Sequence, residues 1–352
     1  MIRVLVVDDS AVVRKVLAEE LSALGGIEVV GTAVDPYAAR DRIAELSPDV
    51  ITLDIEMPRM DGLSFLAKLM KHHPIPVVVV SSVTPENSQT ALQALELGAV
   101  EVIPKPGSQF SVPEVRRTLA RAIRAAAVAD LSRSTIKSRA KVARVESVGL
   151  SRVNTTHKLI AMGASTGGTK ALEVVLSSMP ADAPGIVVVQ HMPGGFTGSF
   201  AERLNDTCRV EVREGQDGDP IVPGRCLIAP GGYHIMIVRS GSRTKVKVRK
   251  GPPVNHHRPS VDVLFSSVAR EVGRNAVGVI MTGMGSDGAR GLQQIREAGG
   301  HTVAQDEETS VVFGMPRAAI SLDAAMEVVP LEQIAEAALA PVRGTLRSSD
   351  VR

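Results

Sequence analysis

Short apolar runs alternate with amphipathic stretches over the first 128 residues of the chain. The apolar runs are rich in Val, Ile and Leu and predict buried strands at Ile2–Val7, Glu28–Ala33, Val50–Leu53, Pro76–Ser81 and Val100–Pro104. Apolar residues at helical spacing predict the intervening helices at Ala11–Leu24, Pro36–Leu46, Gly62–His72, Asn87–Leu97 and Val112–Ala127. Five strand-then-helix units predict an α/β fold with a doubly wound, five-stranded parallel sheet.

A second α/β series begins at Lys158. Strands are predicted at Lys158–Gly163, Gly185–Gln190, Arg209–Arg213, Arg225–Ala229, Tyr233–Val238, Thr244–Val248, Ala276–Thr282 and His301–Ala304. Helices are predicted at Gly168–Ser178, Gly195–Leu204, Val261–Val272, Gly288–Ala298 and Leu331–Ala340. The region 209–249 has turn signals without a helix pattern, which predicts hairpins inserted in a second, mostly parallel, doubly wound domain.

The two series are separated by a stretch that lacks either periodicity. Between residues 131 and 156 there are six basic residues and a single acid, Glu146, with frequent Ser, Thr and Asn. This composition favours an exposed flexible linker, and a basic amphipathic helix that binds a partner is the alternative. We therefore predict one domain over 1–125, a basic linker over 126–156, a second domain over 157–345 and a tail over 346–352.

Composition excludes several classes of protein. The 352 residues carry 40 Lys and Arg against 38 Asp and Glu, and only 2% are aromatic, which disfavours nucleic-acid binding. Apolar residues make up 44% of the chain, enough for two cores. No apolar run reaches membrane-spanning length, and an acidic pair directly follows the N-terminal apolar run, which disfavours a secretory signal. We therefore expect a cytoplasmic protein. For the oligomeric state, a monomer is the default expectation. Cys208 and Cys226 form no CxxC pair, which predicts free thiols.

Polar side chains of the first domain fall where its strands end. Ligands of open parallel sheets lie at this edge, so these side chains should converge there. They are Asp8, Asp9, Asp54, Ser81 and Lys105. Carboxylates that converge need a cation, and oxygen ligands favour Mg²⁺. A carboxylate beside that metal can attack phosphorus, with the lysine and the serine hydroxyl contacting the phosphoryl oxygens.

The first 125 residues resemble the receiver domain of two-component response regulators, a flavodoxin-like fold. The resemblance implies that Asp54 is the phospho-acceptor and that Ser81 and Lys105 are the switch and phosphoryl contacts. It implies Mg²⁺ bound by Asp8, Asp9, Asp54 and the backbone carbonyl of Glu56, and a histidine kinase as phosphodonor. Many receivers have an aromatic residue three positions before the lysine, where this chain has Val102.

A glycine-rich turn follows the first strand of the second domain. It reads Gly163-Ala164-Ser165-Thr166-Gly167-Gly168 and contains G-x-S-x-G between a strand and a helix. Such a turn exposes a serine nucleophile and directs helix N–H groups at an oxyanion. The same turn could instead bind a phosphate group, as in nucleotide sites.

Two further strand ends supply partners for a serine. His191 follows the predicted strand 185–190, and Asp287 lies in the turn Gly283-Met284-Gly285-Ser286-Asp287-Gly288 after another. Parallel strands would bring Ser165, His191 and Asp287 to one sheet edge, as a nucleophile, a general base and its orienter. The chain order Ser, His, Asp differs from that of the α/β-hydrolase fold. The backbone amides of Thr166 or Met192 are candidate oxyanion donors. The adjacent histidines 256 and 257 would point to opposite sides of an extended chain, which disfavours a shared zinc site.

Residues 157–342 closely resemble the catalytic domain of chemotaxis protein-glutamate methylesterases. The resemblance extends over the motifs Gly163–Gly168, Gln190–Met192, Pro230–His234, Val254–Asp262, Thr282–Gly288 and Ala304–Glu307. It implies hydrolysis of γ-glutamyl methyl esters on the cytoplasmic helices of chemoreceptors, with release of methanol, and deamidation of receptor glutamines. It carries the triad over to Ser165, His191 and Asp287, places Met284 near the histidine, and implies no cofactor for the ester chemistry.

The family also joins a receiver to this domain through a linker. We therefore expect phosphorylation of Asp54 to activate the hydrolase, with the resting receiver blocking the large receptor substrate. Three alternatives remain: the same enzyme family serving a non-chemotaxis receptor system or acting mainly as a phosphate sink, a receiver-regulated nucleotide-binding module, and a DNA-binding output. The α/β pattern of the second half disfavours DNA binding, and the three separate strand ends disfavour nucleotide binding.

Overall fold

The computed structural model describes residues 1–57, 62–105, 112–134, 158–241 and 243–342. The chain divides into two compact units, residues 1–136 and 137–352. Most of the predicted linker, residues 135–156, and the predicted tail 346–352 lie outside the described residues. Within the described residues, no helix is both long enough and apolar enough to cross a membrane.

The first unit contains a five-stranded sheet. Its strands are β1 (Ile2–Val7), β2 (Ile27–Ala33), β3 (Val50–Asp54), β4 (Val77–Ser81) and β5 (Glu101–Pro104). They pair in the order β2-β1-β3-β4-β5, and every pair is parallel. The order reverses between β1 and β3, so the carboxyl ends of these two strands flank the crevice where doubly wound sheets bind ligands.

Helices connect the strands of this sheet. They are α1 (Ala11–Ser22), α2 (Pro36–Leu46), α3 (Gly62–His72), α4 (Pro85–Glu96) and α5 (Val112–Ala126), followed by a single turn, α6 (Leu131–Ser134). Ser10, Asp35 and Thr84 cap the first, second and fourth of them through their side chains. The apolar face of α5 packs on the sheet through Leu119 and Ile123, which are completely buried. The predicted doubly wound architecture is confirmed.

The second unit contains a seven-stranded sheet in which every pairing is parallel. Its strands are β6 (Leu159–Ala164), β7 (Gly185–Gln190), β8 (Glu211–Glu214), β9 (Arg225–Ile228), β12 (Ala276–Ile280), β13 (His301–Gln305) and β14 (Glu327–Val329). The order is β14-β13-β12-β6-β7-β9-β8, so β6 lies between β12 and β7. This order brings the predicted serine, histidine and aspartate turns to three neighbouring strands.

The helices of this unit are α7 (Gly168–Ser178), α8 (Thr197–Thr207), α9 (Val261–Val272), α10 (Ala289–Glu297), α11 (Met315–Ser321) and α12 (Ile334–Leu339). Short 3₁₀ turns span Gly273–Asn275 and Leu331–Gln333. The helix α9 packs on the sheet through Leu264 and Phe265, which are fully buried. The observed bounds of α7 and α9 are those predicted from their strong amphipathic patterns. In contrast, the seven-residue α11 and the three-residue β14 were not predicted, because they are too short to show a periodicity.

Among the described residues of the region expected to form inserted hairpins, one hairpin is present. Strands β10 (His234–Ser240) and β11 (Arg243–Arg249) pair antiparallel, as predicted. In contrast, β8 and β9 are parallel strands at the edge of the main sheet, so the hairpin prediction does not hold for them. The reason is burial: Leu227 and Ile228 are successive residues with almost no exposed surface, which suits a strand covered on both faces.

Candidate functional site

The first polar cluster lies at the carboxyl edge of the N-terminal sheet. Asp54 ends β3, and Lys105 directly follows β5 and donates to Asp54 Oδ2 at 2.7 Å. The same ammonium lies 3.7 Å from Asp8 Oδ2. Oxygen atoms of Asp8, Asp9 and Asp54 all lie within 4.8 Å of one another. The predicted convergence of the three acids and the lysine is therefore present.

Charge in this cluster is unbalanced. Three carboxylates face one ammonium, and Asp8 and Asp54 are almost completely buried. Burial raises the pKa of Asp8 to about 6 and raises the pKa of Asp54, and the charge of Lys105 only partly opposes both effects. Burial by itself would lower the pKa of Lys105, but the neighbouring carboxylates raise it. Oxygen Oδ2 of Asp8 accepts no hydrogen bond within the described residues, and a divalent cation fits this donor set.

Ser81 and Glu56 contact each other beside this cluster. The Ser81 hydroxyl donates to Glu56 Oε1 at 3.0 Å. The same carboxylate accepts hydrogen bonds from the backbone N–H and the hydroxyl of Ser82, at 2.9 and 3.0 Å. The backbone N–H of Glu56 in turn donates to Asp54 Oδ1 at 2.9 Å. In this conformation the hydroxyl of Ser81 is therefore engaged by Glu56, next to the residue expected to accept the phosphoryl group.

The glycine-rich turn of the second unit connects β6 to α7. Ser165 follows β6 directly and is only 4% exposed. Its backbone is held on two sides: its N–H donates to the carbonyl of Thr282 at 3.0 Å, and Gln190 Nε2 donates to its carbonyl at 2.9 Å. Gly167 has a φ of +78°, which glycine adopts without the penalty of a side chain. The elbow predicted from the sequence is thus built into the sheet edge.

A buried histidine–aspartate pair lies at the same edge. His191 follows β7, and its backbone N–H donates to the carbonyl of Ala164 at 3.0 Å, next to Ser165. His191 Nε2 lies 2.8 Å from Asp287 Oδ2, and both side chains are at most 2% exposed. Asp287 follows the turn after β12, the other neighbour of β6. Strand order therefore brings the two residues together, although 96 positions separate them in the chain.

The carboxylate of Asp287 lies at the N-terminus of α9. It accepts the N–H of Val261 at 2.7 Å, the N–H of Asp262 at 3.3 Å and the hydroxyl of Ser260 at 2.8 Å. Ser260 is also the N-cap of this helix. Burial alone would raise the pKa of Asp287, but its hydrogen bonds and the facing histidine hold that pKa well below the usual range. The group is therefore an anion at neutral pH.

Two residues that the sequence places in the motif Val254–Asp262, with no predicted role in the triad, complete this arrangement. Asn255 Nδ2 donates to Asp287 Oδ1 at 2.8 Å. The ring of His257 stacks on the ring of His191, with centroids 3.6 Å apart and planes 10° from parallel. Both residues come from the segment 252–259. The signal available in the sequence was Asn255 itself, since Asn adopts a left-handed backbone more readily than most residues, and in the structure its φ is +51°.

The residues predicted to line the site differ in exposure. Thr166 and Met192 are buried, whereas Met284 is partly exposed. The carbonyl of Thr166 accepts the hydroxyl of Thr282 at 2.9 Å, which ties the serine turn to the strand that leads to Asp287. The predicted roles of these residues in binding substrate or an oxyanion stay predictions.

Comparison with known proteins places both halves of the chain. The CheB methylesterase family matches residues 160–338, and the response regulator receiver domain matches residues 4–115. A protein-glutamate methylesterase/protein-glutamine glutaminase of Syntrophus aciditrophicus is 53% identical over 335 residues, which cover 95% of this chain and 97% of that protein. A protein of the same name from Anaeromyxobacter dehalogenans is 56% identical over 344 residues, or 95% and 94% of the two chains.

A solved structure agrees with the fold of the second unit. The crystal structure of the Thermotoga maritima CheB methylesterase catalytic domain superposes with a TM-score of 0.52 and 37% sequence identity. The match covers 53% of this chain and 98% of that one. Together with the full-length relatives, these findings show that the chain belongs to the CheB methylesterase family and carries a response regulator receiver domain at its N-terminus.

Proposed function

We propose that this chain hydrolyses γ-glutamyl methyl esters on the cytoplasmic helices of methylated chemoreceptors, and that Ser165, His191 and Asp287 carry the reaction. The observation that carries the proposal is the buried 2.8 Å contact between His191 and Asp287, one strand from the serine elbow. The family's solved catalytic domain and its curated relatives support the same activity. We assign the receiver to residues 1–125 and the hydrolase to 157–345.

The proposed reaction is acyl transfer in two steps. Ser165 Oγ attacks the ester carbonyl while the imidazole of His191 takes its proton, and the intermediate expels methoxide, which leaves as methanol with that proton. His191 then deprotonates a water molecule, which attacks the acyl-serine ester. The proton passes from His191 to Ser165 Oγ, and the glutamate leaves the free serine. Because Nε2 of His191 is hydrogen-bonded to Asp287, the nitrogen that accepts the serine proton in this scheme is Nδ1 of His191.

Two neighbouring features suit the developing charges. The ionised Asp287 stabilises the imidazolium that forms in each step. The N-terminus of α7 and the backbone amides of Thr166 and Met192 are the proposed donors to the oxyanion. The same steps applied to a receptor glutamine release ammonia in place of methanol, which is the proposed deamidase reaction.

The N-terminal unit is proposed to regulate this reaction through phosphorylation of Asp54 by a histidine kinase. Asp8, Asp9, Asp54 and the Glu56 carbonyl would hold Mg²⁺, which supplies positive charge for the phosphoryl group when bound. Lys105 is positioned to pair with the phosphoryl oxygens, since it already donates to Asp54. Ser81 would have to exchange its hydrogen bond to Glu56 for one to the phosphoryl group.

Methanol release from methylated receptor membranes tests the proposal. We expect release from the full chain and at least a 10³-fold lower rate from Ser165→Ala, because removal of a serine nucleophile leaves only residual catalysis. Ser177→Ala is the matched control, since its hydroxyl donates to the carbonyl of Val174 within the same helix. Equal rates for Ser165→Ala and the control would refute the role of Ser165. Nucleotide binding without methanol release would favour the nucleotide-binding alternative.

A further inference from the structure

A second carboxylate lies beside the one that meets the histidine. Asp262, in the first turn of α9, accepts the N–H of Gly291 at 2.7 Å and thereby connects α9 to the first turn of α10. Burial is the main cause that raises the pKa of Asp262, and the charge of Asp287 raises it further. Two carboxylates thus lie close together in a poorly solvated place and repel each other.

One side-chain amide lies between these two acids. Asn255 Nδ2 donates to Asp262 Oδ2 at 2.7 Å and to Asp287 Oδ1 at 2.8 Å. A primary amide nitrogen carries two hydrogens, so both are used. The reversed amide would point its oxygen at two carboxylates, which fixes the orientation of the group.

We propose that Asn255 is a positioning residue of the hydrolase, which joins the carboxylates of Asp262 and Asp287 and fixes the orientation in which Asp287 meets His191. This inference rests on the proposed esterase function. The tether begins at the backbone of α10, passes through Asp262 and Asn255, and ends on Asp287. Ser260 and the N-terminus of α9 hold the same carboxylate from another side, so loss of the tether should misalign it without unfolding the protein.

The tether has an electrostatic consequence that a purely structural contact lacks. The titratable groups that face Asp287 are His191 and Asp262, with His257 stacked on His191. Without the two Asn255 hydrogen bonds the negative charge of Asp287 is less stabilised, so Asp287 becomes a stronger base. The pair of His191 and Asp287 should therefore bind a proton at a higher pH than in the wild type. The negative charge of Asp262 also favours protonation of this pair, so removal of that charge should lower the pH at which the pair binds a proton.

Three full-chain variants separate these effects. Asn255→Gly removes the amide and keeps a residue suited to the φ of +51° at this position. Asp262→Asn removes the second charge with little change in size. His256→Gly is the matched control, since His256 is the exposed next residue, has a φ of +66° and contacts neither carboxylate in the described part of the chain.

The test measures the titration of the His191 imidazole by NMR in each full-length variant, together with kcat and KM for methanol release. We expect the titration midpoint of Asn255→Gly to rise by about one pH unit, that of Asp262→Asn to fall, and that of His256→Gly to stay. In Asn255→Gly, kcat should fall about tenfold with KM unchanged. Midpoints that do not move, or that move in the same direction, would overturn the inference. Opposite shifts in a chain that releases no methanol would support the tether and refute the proposed activity.

Discussion

At the scale of single residues, the environment of Asp287 explains how a buried acid remains charged. Its carboxylate accepts five hydrogen bonds from the described part of the chain, and two of them come from the first backbone amides of α9. These amides and the helix dipole stabilise an anion. Since the pKa of Asp287 is depressed in the folded protein, its ionisation stabilises the fold above about pH 4, and this contribution is lost only as the pH falls toward the folded value.

Asp287→Asn should therefore reduce both activity and stability at pH 7. The amide cannot stabilise the imidazolium, so kcat should fall by about 10³- to 10⁴-fold. Its NH₂ group would also face donors, which costs about 1–3 kcal/mol of unfolding free energy. Methanol release and urea unfolding measure the two effects. Asp182→Asn, at an exposed position, is the control and should change neither. A wild-type rate in Asp287→Asn would contradict the assigned role.

For Asp8, the predicted pH dependence of the free energy of unfolding has the opposite sign to that for Asp287. Its pKa is about 6 in the folded protein and near 3.8 in the unfolded chain. Between these pH values the folded state retains a proton that the unfolded state has lost. The free energy of unfolding of the first unit should thus fall as the pH rises from about 4 to about 6, by roughly 2–3 kcal/mol, and then level off.

Urea unfolding of the full chain at pH 4 and pH 7.5, without divalent ions, measures this dependence. Asp8→Asn should remove most of it, whereas Glu28→Gln, at an exposed strand position, should leave it unchanged. Addition of Mg²⁺ at pH 7.5 should stabilise the wild-type chain and have a smaller effect on Asp8→Asn, because the metal binds the ionised carboxylate. Equal pH dependence in wild type and Asp8→Asn would contradict the assignment.

At the scale of elements, close packing of turns fixes the serine. A Cβ added at Gly283 would lie 2.6 Å from the Cβ of Ser165 and 2.4 Å from Met315 Sδ. The turn after β12 therefore approaches the serine elbow so closely that only glycine fits. In contrast, a Cβ at Gly198 in α8 would meet only Glu214 Oε2, at 3.9 Å.

Alanine should lower kcat at Gly283 and leave kcat unchanged at Gly198. Gly283→Ala must displace Ser165 or Met315, and a shift of the proposed nucleophile by about 1 Å should lower kcat some 10- to 100-fold. Gly198→Ala should stabilise the protein by about 0.5–1 kcal/mol through helix propensity and leave kcat unchanged. Kinetics of methanol release and thermal unfolding distinguish the two. An unchanged kcat in Gly283→Ala would show that the elbow can relax away from the clash.

The same elements show what the sequence could predict. Ser165, His191 and Asp287 each follow a buried parallel strand, and apolar runs locate strand ends to within one or two residues. Their meeting then follows from the strand order. Asn255 and His257 lie instead in a segment without periodicity, and their positions depend on tertiary contacts with Asp287 and His191. Hydrophobic patterning carries no information about such contacts, so only the structure shows that these two residues lie beside Asp287 and His191.

At the scale of the whole molecule, each of the two units contains a hydrophobic core cluster of its own. Within the described residues, one core cluster draws only on residues before position 132 and the other only on residues after position 158. Each unit therefore has the apolar burial of an independent domain. A phosphoryl group on Asp54 adds roughly 1.5 to 2 negative charges to one unit, and control of the other requires a coupling free energy between them.

We expect this coupling to raise the rate of methanol release about tenfold when a small phosphodonor and Mg²⁺ are added to the full chain. A tenfold change corresponds to about 1.4 kcal/mol, which is within the usual range for coupled sites. Asp54→Asn should make the rate insensitive to the donor, because it removes the proposed acceptor carboxylate, whereas Glu28→Gln should respond as the wild type does. Deletion of residues 1–130 should also raise the rate if the unphosphorylated receiver inhibits the hydrolase. An unchanged or lower rate after deletion would refute inhibition, and a donor response that persists in Asp54→Asn would place the phosphorylation elsewhere.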